Sequence, residues 1–166
     1  MKYSFPLLLI AIILCFSKTF ATTHIVTTKA GNSPWSPGVG SLAKAIVDSK
    51  NTGDTIIFDY SILGSPLTYP IPATFSNFDI GGFTLDGLRG LPSNTALTQI
   101  QLSTAPGNGG TVFRITQNST TLIGIDFVGN GGNGLIMTSS NNIVDSCYIH
   151  DFDMHGINIS NTCLLY

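Results

Sequence analysis

The residues best equipped for chemistry crowd into one stretch, His150-Asp151-Phe152-Asp153-Met154-His155. Two carboxylates two positions apart can offer oxygens to a hard cation such as Ca²⁺. The same pair can serve as acid and base on a glycosidic bond. Asp151, Asp153 and His155 are therefore the candidate catalytic residues, and Asp151 and Asp153 the candidate Ca²⁺ ligands. A plainer structural reading stands beside this one, because short acidic side chains in a turn also bond their own backbone. Little else completes a catalytic set: past residue 21 the arginines are Arg89 and Arg114, and neither lies in this stretch. The glycine-rich run from Gly129 to Gly134 lacks the Gly-Lys-Ser/Thr of a nucleotide loop and reads as turns.

What must position these residues is a repeat. TVFRITQ at 111–117, NGLIMTS at 133–139 and HGINISN at 155–161 recur with a period of 22. Phe113, Leu135 and Ile157 share one column, and Ile115, Met137 and Ile159 another. Farther along, Ile125 aligns with Cys147 and Phe127 with Ile149. Each unit holds two short alternating segments, such as Phe113-Arg114-Ile115 and Ile125-Asp126-Phe127. Alternation sends the apolar residues to one side and leaves Arg114 and Asp126 on the other. Identical spacing in successive units stacks the apolar residues into columns and pairs the backbones in parallel. The polar columns Thr116/Thr138/Ser160 and Gln117/Ser139/Asn161 fall at corners, where they can bond otherwise unpaired backbone groups. This pattern predicts a parallel β-helix. In its register Asp151 lies beside Gly129 and Asp153 beside Gly131, leaving room for a sugar or a hydrated cation. A leucine-rich repeat is the competing architecture: residues 122–130 fit its pattern, but Phe152 replaces its turn asparagine one unit later.

Upstream the units are less regular. His24 to Thr28 and Thr55 to Asp59 read as strands, and Ser41 can cap a short helix with Leu42, Ala45 and Ile46 on one face. Pro66, Pro70 and Pro72 mark an edge or an extended crossing. Residues 83–87 and 98–102 alternate as strands do. Trp35, Tyr60 and Tyr69 could stack sugars, with aromatic packing over the helix as the alternative, and His24 reads as structural.

At the N-terminus, Lys2, the apolar run Phe5 to Phe16 and Thr19-Phe20-Ala21 compose a signal peptide over 1–21, cut after Ala21. The remaining 145 residues carry five Lys and Arg against nine Asp, a net charge of −4. That balance argues against nucleic acid as a partner, and no membrane span is expected once the leader is gone. Cys147 sits in an inward column and reads as a buried thiol, while Cys163 falls in a turn position; an export compartment would also permit their pairing.

The segment Gly40-Ser41-Leu42-Ala43-Lys44-Ala45-Ile46, followed by Gly53-Asp54-Thr55-Ile56-Ile57-Phe58-Asp59, resembles the opening of secreted bacterial right-handed parallel β-helix proteins of the pectate-lyase-like superfamily. Phe83 to Gly87 and Thr121 to Phe127 are similar to later coils of that group. Ala43-Lys44 replaces the usual Arg-Glu pair, and Gly40 stands where a Cys often sits. The resemblance implies an all-β, right-handed parallel β-helix with an N-terminal capping helix that closes the open end of the stack. It also implies a secreted or surface scaffold for adhesion or glycan binding, with polysaccharide lyases and glycoside hydrolases on the same fold. His155-Gly156-Ile157 is faintly similar to the Gly-His-Gly of polygalacturonases, but Met154 replaces the first glycine.

The expected layout is one β-helix domain over 22–166, with a cap at 22–60, irregular first coils at 61–109 and regular 22-residue coils at 110–166. The last unit holds only its first strand, so the chain reads as cut short at its C-terminal end, with downstream coils or a partner covering it. The function expected is a secreted or cell-surface scaffold that binds polysaccharide or host glycan. The alternative is a lyase or hydrolase, with Ca²⁺ as its one candidate cofactor.

Overall fold

Short runs of β-branched and aromatic residues, broken by glycine and asparagine, give this chain many brief strands and almost no helix. The computed structural model describes residues 20–33, 35–49, 53–72, 79–103, 110–129, 131–160 and 164–165. The elements are β1 (Thr23–Val26), α1 (Leu42–Asp48), β2 (Thr55–Phe58), α2 (Tyr60–Leu63), β3 (Thr68–Pro72), β4 (Asp79–Gly81), β5 (Thr84–Asp86) and β6 (Thr98–Ser103). They continue as β7 (Thr111–Gln117), β8 (Thr121–Ile123), β9 (Ile125–Val128), β10 (Asn133–Met137), β11 (Ile143–Asp145), β12 (Tyr148–His150), β13 (His155–Ile159) and β14 (Leu164–Leu165).

The strands form three sheets: β1-β2-β5-β8-β11-β14, β3-β6-β9-β12 and β4-β7-β10-β13. From β2 onward the chain visits the first, second and third sheet in strict rotation, and the strand pairings are parallel. The molecule is thus mostly β, with parallel sheets stacked in a way compatible with a parallel β-helix. Each turn contributes three strands, where two segments per unit were expected. The missed division is a bend at Gly124 (φ 59°), repeated at Ser146 (φ 53°), which splits residues 121–128 into β8 and β9. A leucine-rich repeat pairs one strand with a helical segment per unit, so three sheets exclude it.

The 22-residue columns hold. Phe113 pairs with Leu135 and Leu135 with Ile157; Ile115 pairs with Met137 and Met137 with Ile159. Phe113, Ile115, Leu135 and Met137 are fully buried, as are Ile125 and Phe127, whereas Arg114 is exposed. Phe113 meets Phe127 edge to face at 5.7 Å between ring centres. Burial relaxes along the column, since Ile157 is half-buried and Ile159 is 37% exposed. Between β11 and β14 the step is one residue short of the period, with Leu164 beside Ile143. β14 also gives the last unit a second strand, where only the first was expected.

Corners are tied by polar side chains. Ser139 Oγ donates to Gln117 O at 2.8 Å, and Ser140 N–H donates to Asn118 Oδ1 at 2.8 Å. Inside, Thr120 N–H donates to Asn142 Oδ1 at 3.0 Å, and Gly82 N–H donates to Thr120 Oγ1 at 2.8 Å. Thr120 and Asn142 are fully buried, so these bonds satisfy corner groups that water does not reach.

At the other end, Ser41 caps α1 by accepting from Lys44 N–H, and Leu42, Ala43, Ala45 and Ile46 join the core. β3, with its prolines, is the edge of the second sheet. The expected leader lies outside the described residues except for Phe20 and Ala21, both exposed; Cys163 lies outside them too. Among the described residues no helix is long and apolar enough to cross a membrane.

Candidate functional site

The second sheet carries the most concentrated polar chemistry on its outward side. In β9, Ile125 and Phe127 face the core, so Asp126 between them faces out. In β12, alternation about Ile149, which packs against the core, turns Tyr148 and His150 outward. Register then places Gln99 of β6, Asp126 of β9 and Tyr148 of β12 in one row, with Gln101, Val128 and His150 in the next. Parallel strands set such rows about 4.8 Å apart.

Within these rows one imidazole joins two acids. His150 Nε2 lies 2.9 Å from Asp126 Oδ1, and His150 Nδ1 lies 2.9 Å from Asp151 Oδ2. Gln99 Nε2 donates to the other Asp126 oxygen at 3.4 Å. The Tyr148 ring stacks on the imidazole with centres 4.4 Å apart and 30° between planes. A neutral imidazole carries one N–H and can donate to only one of the two acids, whereas the imidazolium donates to both. The side chains of Asp126 and His150 are 19% and 24% exposed, and that of Asp151 is 71% exposed. The inner acid is therefore held and the outer one is wet. Asp151 adopts a left-handed backbone (φ 60°), a conformation Asp tolerates, and this lets it turn back onto the ring it follows.

The structure brings one candidate, Asp151, into a defined cluster. Asp153 is exposed in the loop before β13, and His155 opens β13, exposed and opposite Asn133. Of the two positions where room was expected, Gly129 beside Asp151 is filled: a Cβ added there would meet the Phe152 ring, which takes the space expected for a sugar or a hydrated cation. Among the described residues, no group of three His, Cys, Asp or Glu side chains is arranged to hold a metal ion.

Other candidates are structural. Tyr69 is fully buried; its hydroxyl accepts from Leu42 N–H and donates toward Thr28 O and Asn32 Oδ1, each at 2.8 Å. Tyr60 is buried with its hydroxyl on Gly87 O and Thr98 Oγ1. Burial pushes both phenols above their ordinary range. Neither ring can stack a ligand, so the platform with Trp35 does not form. Cys147 is a half-buried free thiol that donates to Asp145 O, and burial pushes it up, disfavouring the thiolate. Three surface clefts of about 300, 310 and 440 Å³ are lined by the cap, the first coils and Gln117, away from His150.

Sequence reasoning missed Asp126, Tyr148 and Gln99 as members of the site. Asp126 and His150 are 24 residues apart, two beyond the period, so they meet diagonally across neighbouring strands rather than in one column. Reading the outward positions of the second segment in the 22-residue step would have found them. Gln99 was out of reach, because it precedes the regular units.

No family model, curated protein or solved structure matches this chain.

Proposed function

We propose that the chain is an exported right-handed parallel β-helix of the pectate-lyase-like kind, a secreted or cell-surface scaffold whose second sheet binds polysaccharide or surface glycan on its outer face. The rotation of strands through three parallel sheets supports the helix, and the near-universal right-handedness of parallel crossovers supports its hand. The single observation that carries the binding reading is the Tyr148–His150 stack beside Asp126 and Gln99. Tyr148 is 61% exposed and offers a flat apolar surface to a pyranose, while the amide and carboxylate beside it can bond hydroxyls. An open strip of this kind suits an extended polymer better than a small molecule, which needs enclosure.

The test is a polysaccharide and glycan-array screen of the chain starting at Thr22. Tyr148→Ala should weaken binding roughly tenfold, the equivalent of about 1.4 kcal/mol. Binding to no glycan, or binding indifferent to both Tyr148→Ala and Asp126→Ala, would contradict the reading.

One observation favours the catalytic alternative: the exposed carboxylate of Asp151 is held against His150, which is in turn held by Asp126, so an acid–base group facing solvent is backed by a proton-carrying partner. A lyase or hydrolase would release unsaturated or reducing ends from acidic polysaccharides, with activity lost in His150→Ala and in Asp151→Ala. Stimulation by Ca²⁺ would return Asp151 and Asp153 to the role of metal ligands.

A further inference from the structure

Thr22 is held on both sides of its backbone. Its carbonyl accepts from Thr55 N–H at 2.9 Å, which extends the β1–β2 pairing by one residue. Its own N–H donates to Asp54 Oδ1 at 2.8 Å. The Asp54 side chain is 1% exposed, and its second oxygen lies 3.8 Å from His24 Nε2. The Asp54 backbone carbonyl accepts from Thr84 N–H, so the residue is pinned between β1 and β5. Directly upstream, Ala21 and Phe20 are exposed, Phe20 by 88%. A carboxylate taken out of water is costly unless charge and hydrogen bonds compensate it, and a cationic donor compensates far better than a neutral amide.

We propose that cutting the Ala21–Thr22 bond turns the Thr22 amide into an α-ammonium that pairs with Asp54 and locks the first strand onto the sheet. The proposal rests on the export reading above. Hydrolysis by a signal peptidase adds one water across the bond. The hydroxyl goes to the Ala21 acyl carbon, which leaves with the leader as a carboxylate. The Thr22 nitrogen takes up protons and is charged at neutral pH, since an α-amine ordinarily titrates at about 7.7–8.0. The atom that gains the charge already lies at hydrogen-bonding distance from Asp54 Oδ1, so the pair forms without rearrangement.

The experiment compares the thermal midpoints of the chain starting at Thr22, the same chain with its α-amine acetylated, and a chain starting at Phe20. The Thr22 chain should melt roughly 3–6 °C above the other two at neutral pH. In Asp54→Asn the three should coincide; should that variant fail to fold, the acetylated wild-type chain still reads the charge alone. Equal midpoints for the three wild-type chains would overturn the proposal. Mass spectrometry of the protein recovered from cells expressing residues 1–166 separates the two levels. A Thr22 start with equal midpoints removes the ion pair and leaves export standing. A chain retaining residues 1–21 removes export and the trigger together.

Discussion

Up to Ser103, each strand finds its neighbour after a different length of chain: Asp54 meets Thr22 across 32 residues and Asp126 meets Gln99 across 27. From Thr111 to Ile159 the partner recurs at 22, at Gln117–Ser139, Asn118–Ser140 and Thr120–Asn142 alike. The two regions build the same three sheets. In the regular units one corner bond is reused, because equal chain lengths return equivalent residues to equivalent places. The earlier turns lack that equivalence, so each is tied by its own device. Tyr69 reaches from β3 to the start of α1, Tyr60 bridges Gly87 and Thr98, and Asp54 clamps the first strand. Regularity thus makes the late units robust as a set, while the early strands depend on single buried side chains.

The largest expected effect tests the shared core. Phe113→Ala, at a fully buried position against Phe127, should cost about 3–5 kcal/mol in urea unfolding. Ile157→Ala, lower in the same column and only half-buried, should cost about 1–2 kcal/mol. Equal costs would mean that the column does not run through one interior.

Next come the tethers. Tyr69→Phe removes the acceptor of Leu42 N–H, and Asn142→Ala removes that of Thr120 N–H, so each should cost about 2 kcal/mol. The contrast sharpens in hydrogen exchange. Tyr69→Phe should loosen α1 locally, whereas Asn142→Ala should loosen residues on both sides of its corner, because that position belongs to a ladder.

Alkaline pH offers a third contrast. Burial holds the Tyr60 and Tyr69 hydroxyls above the ordinary phenol value. Above about pH 10 the unfolded chain sheds these protons while the folded chain keeps them. Their contribution is therefore complete below about pH 10 and is lost as pH rises through the folded values. Urea midpoints should fall as pH rises above about 10, and Tyr60→Phe should flatten that fall relative to its own neutral value. The regular units add an earlier loss from Cys147, whose thiol burial pushes above its ordinary range.

The smallest effect belongs to Arg114→Ala. This exposed neighbour of two core residues should shift stability by no more than about 0.5 kcal/mol.

Much of this architecture was legible because repetition encodes it. Phe113, Leu135 and Ile157 share a column in the sequence and in the sheet, and Ser41 announces α1 by a local capping rule. The third strand of each turn was not legible, since a bend at Gly124 or Ser146 interrupts an otherwise continuous alternation. In the site, Asp151 was visible as an acid in a turn. Its connection to Asp126 through His150 was not, because the contact crosses the register diagonally. Gly129 beside Asp151 misled, as composition alone does not say whether an open space awaits a ligand or the chain's own Phe152.

The stacking of residues 22 apart is tested most directly by nuclear Overhauser contacts between backbone protons in the chain starting at Thr22. Cross-strand contacts should link Phe113 to Leu135 and Leu135 to Ile157, with matching contacts from Asp126 to Tyr148. Contacts displaced by one residue, or none between these pairs, would contradict the ladder and with it the outer face that holds Asp126, Tyr148 and His150 together.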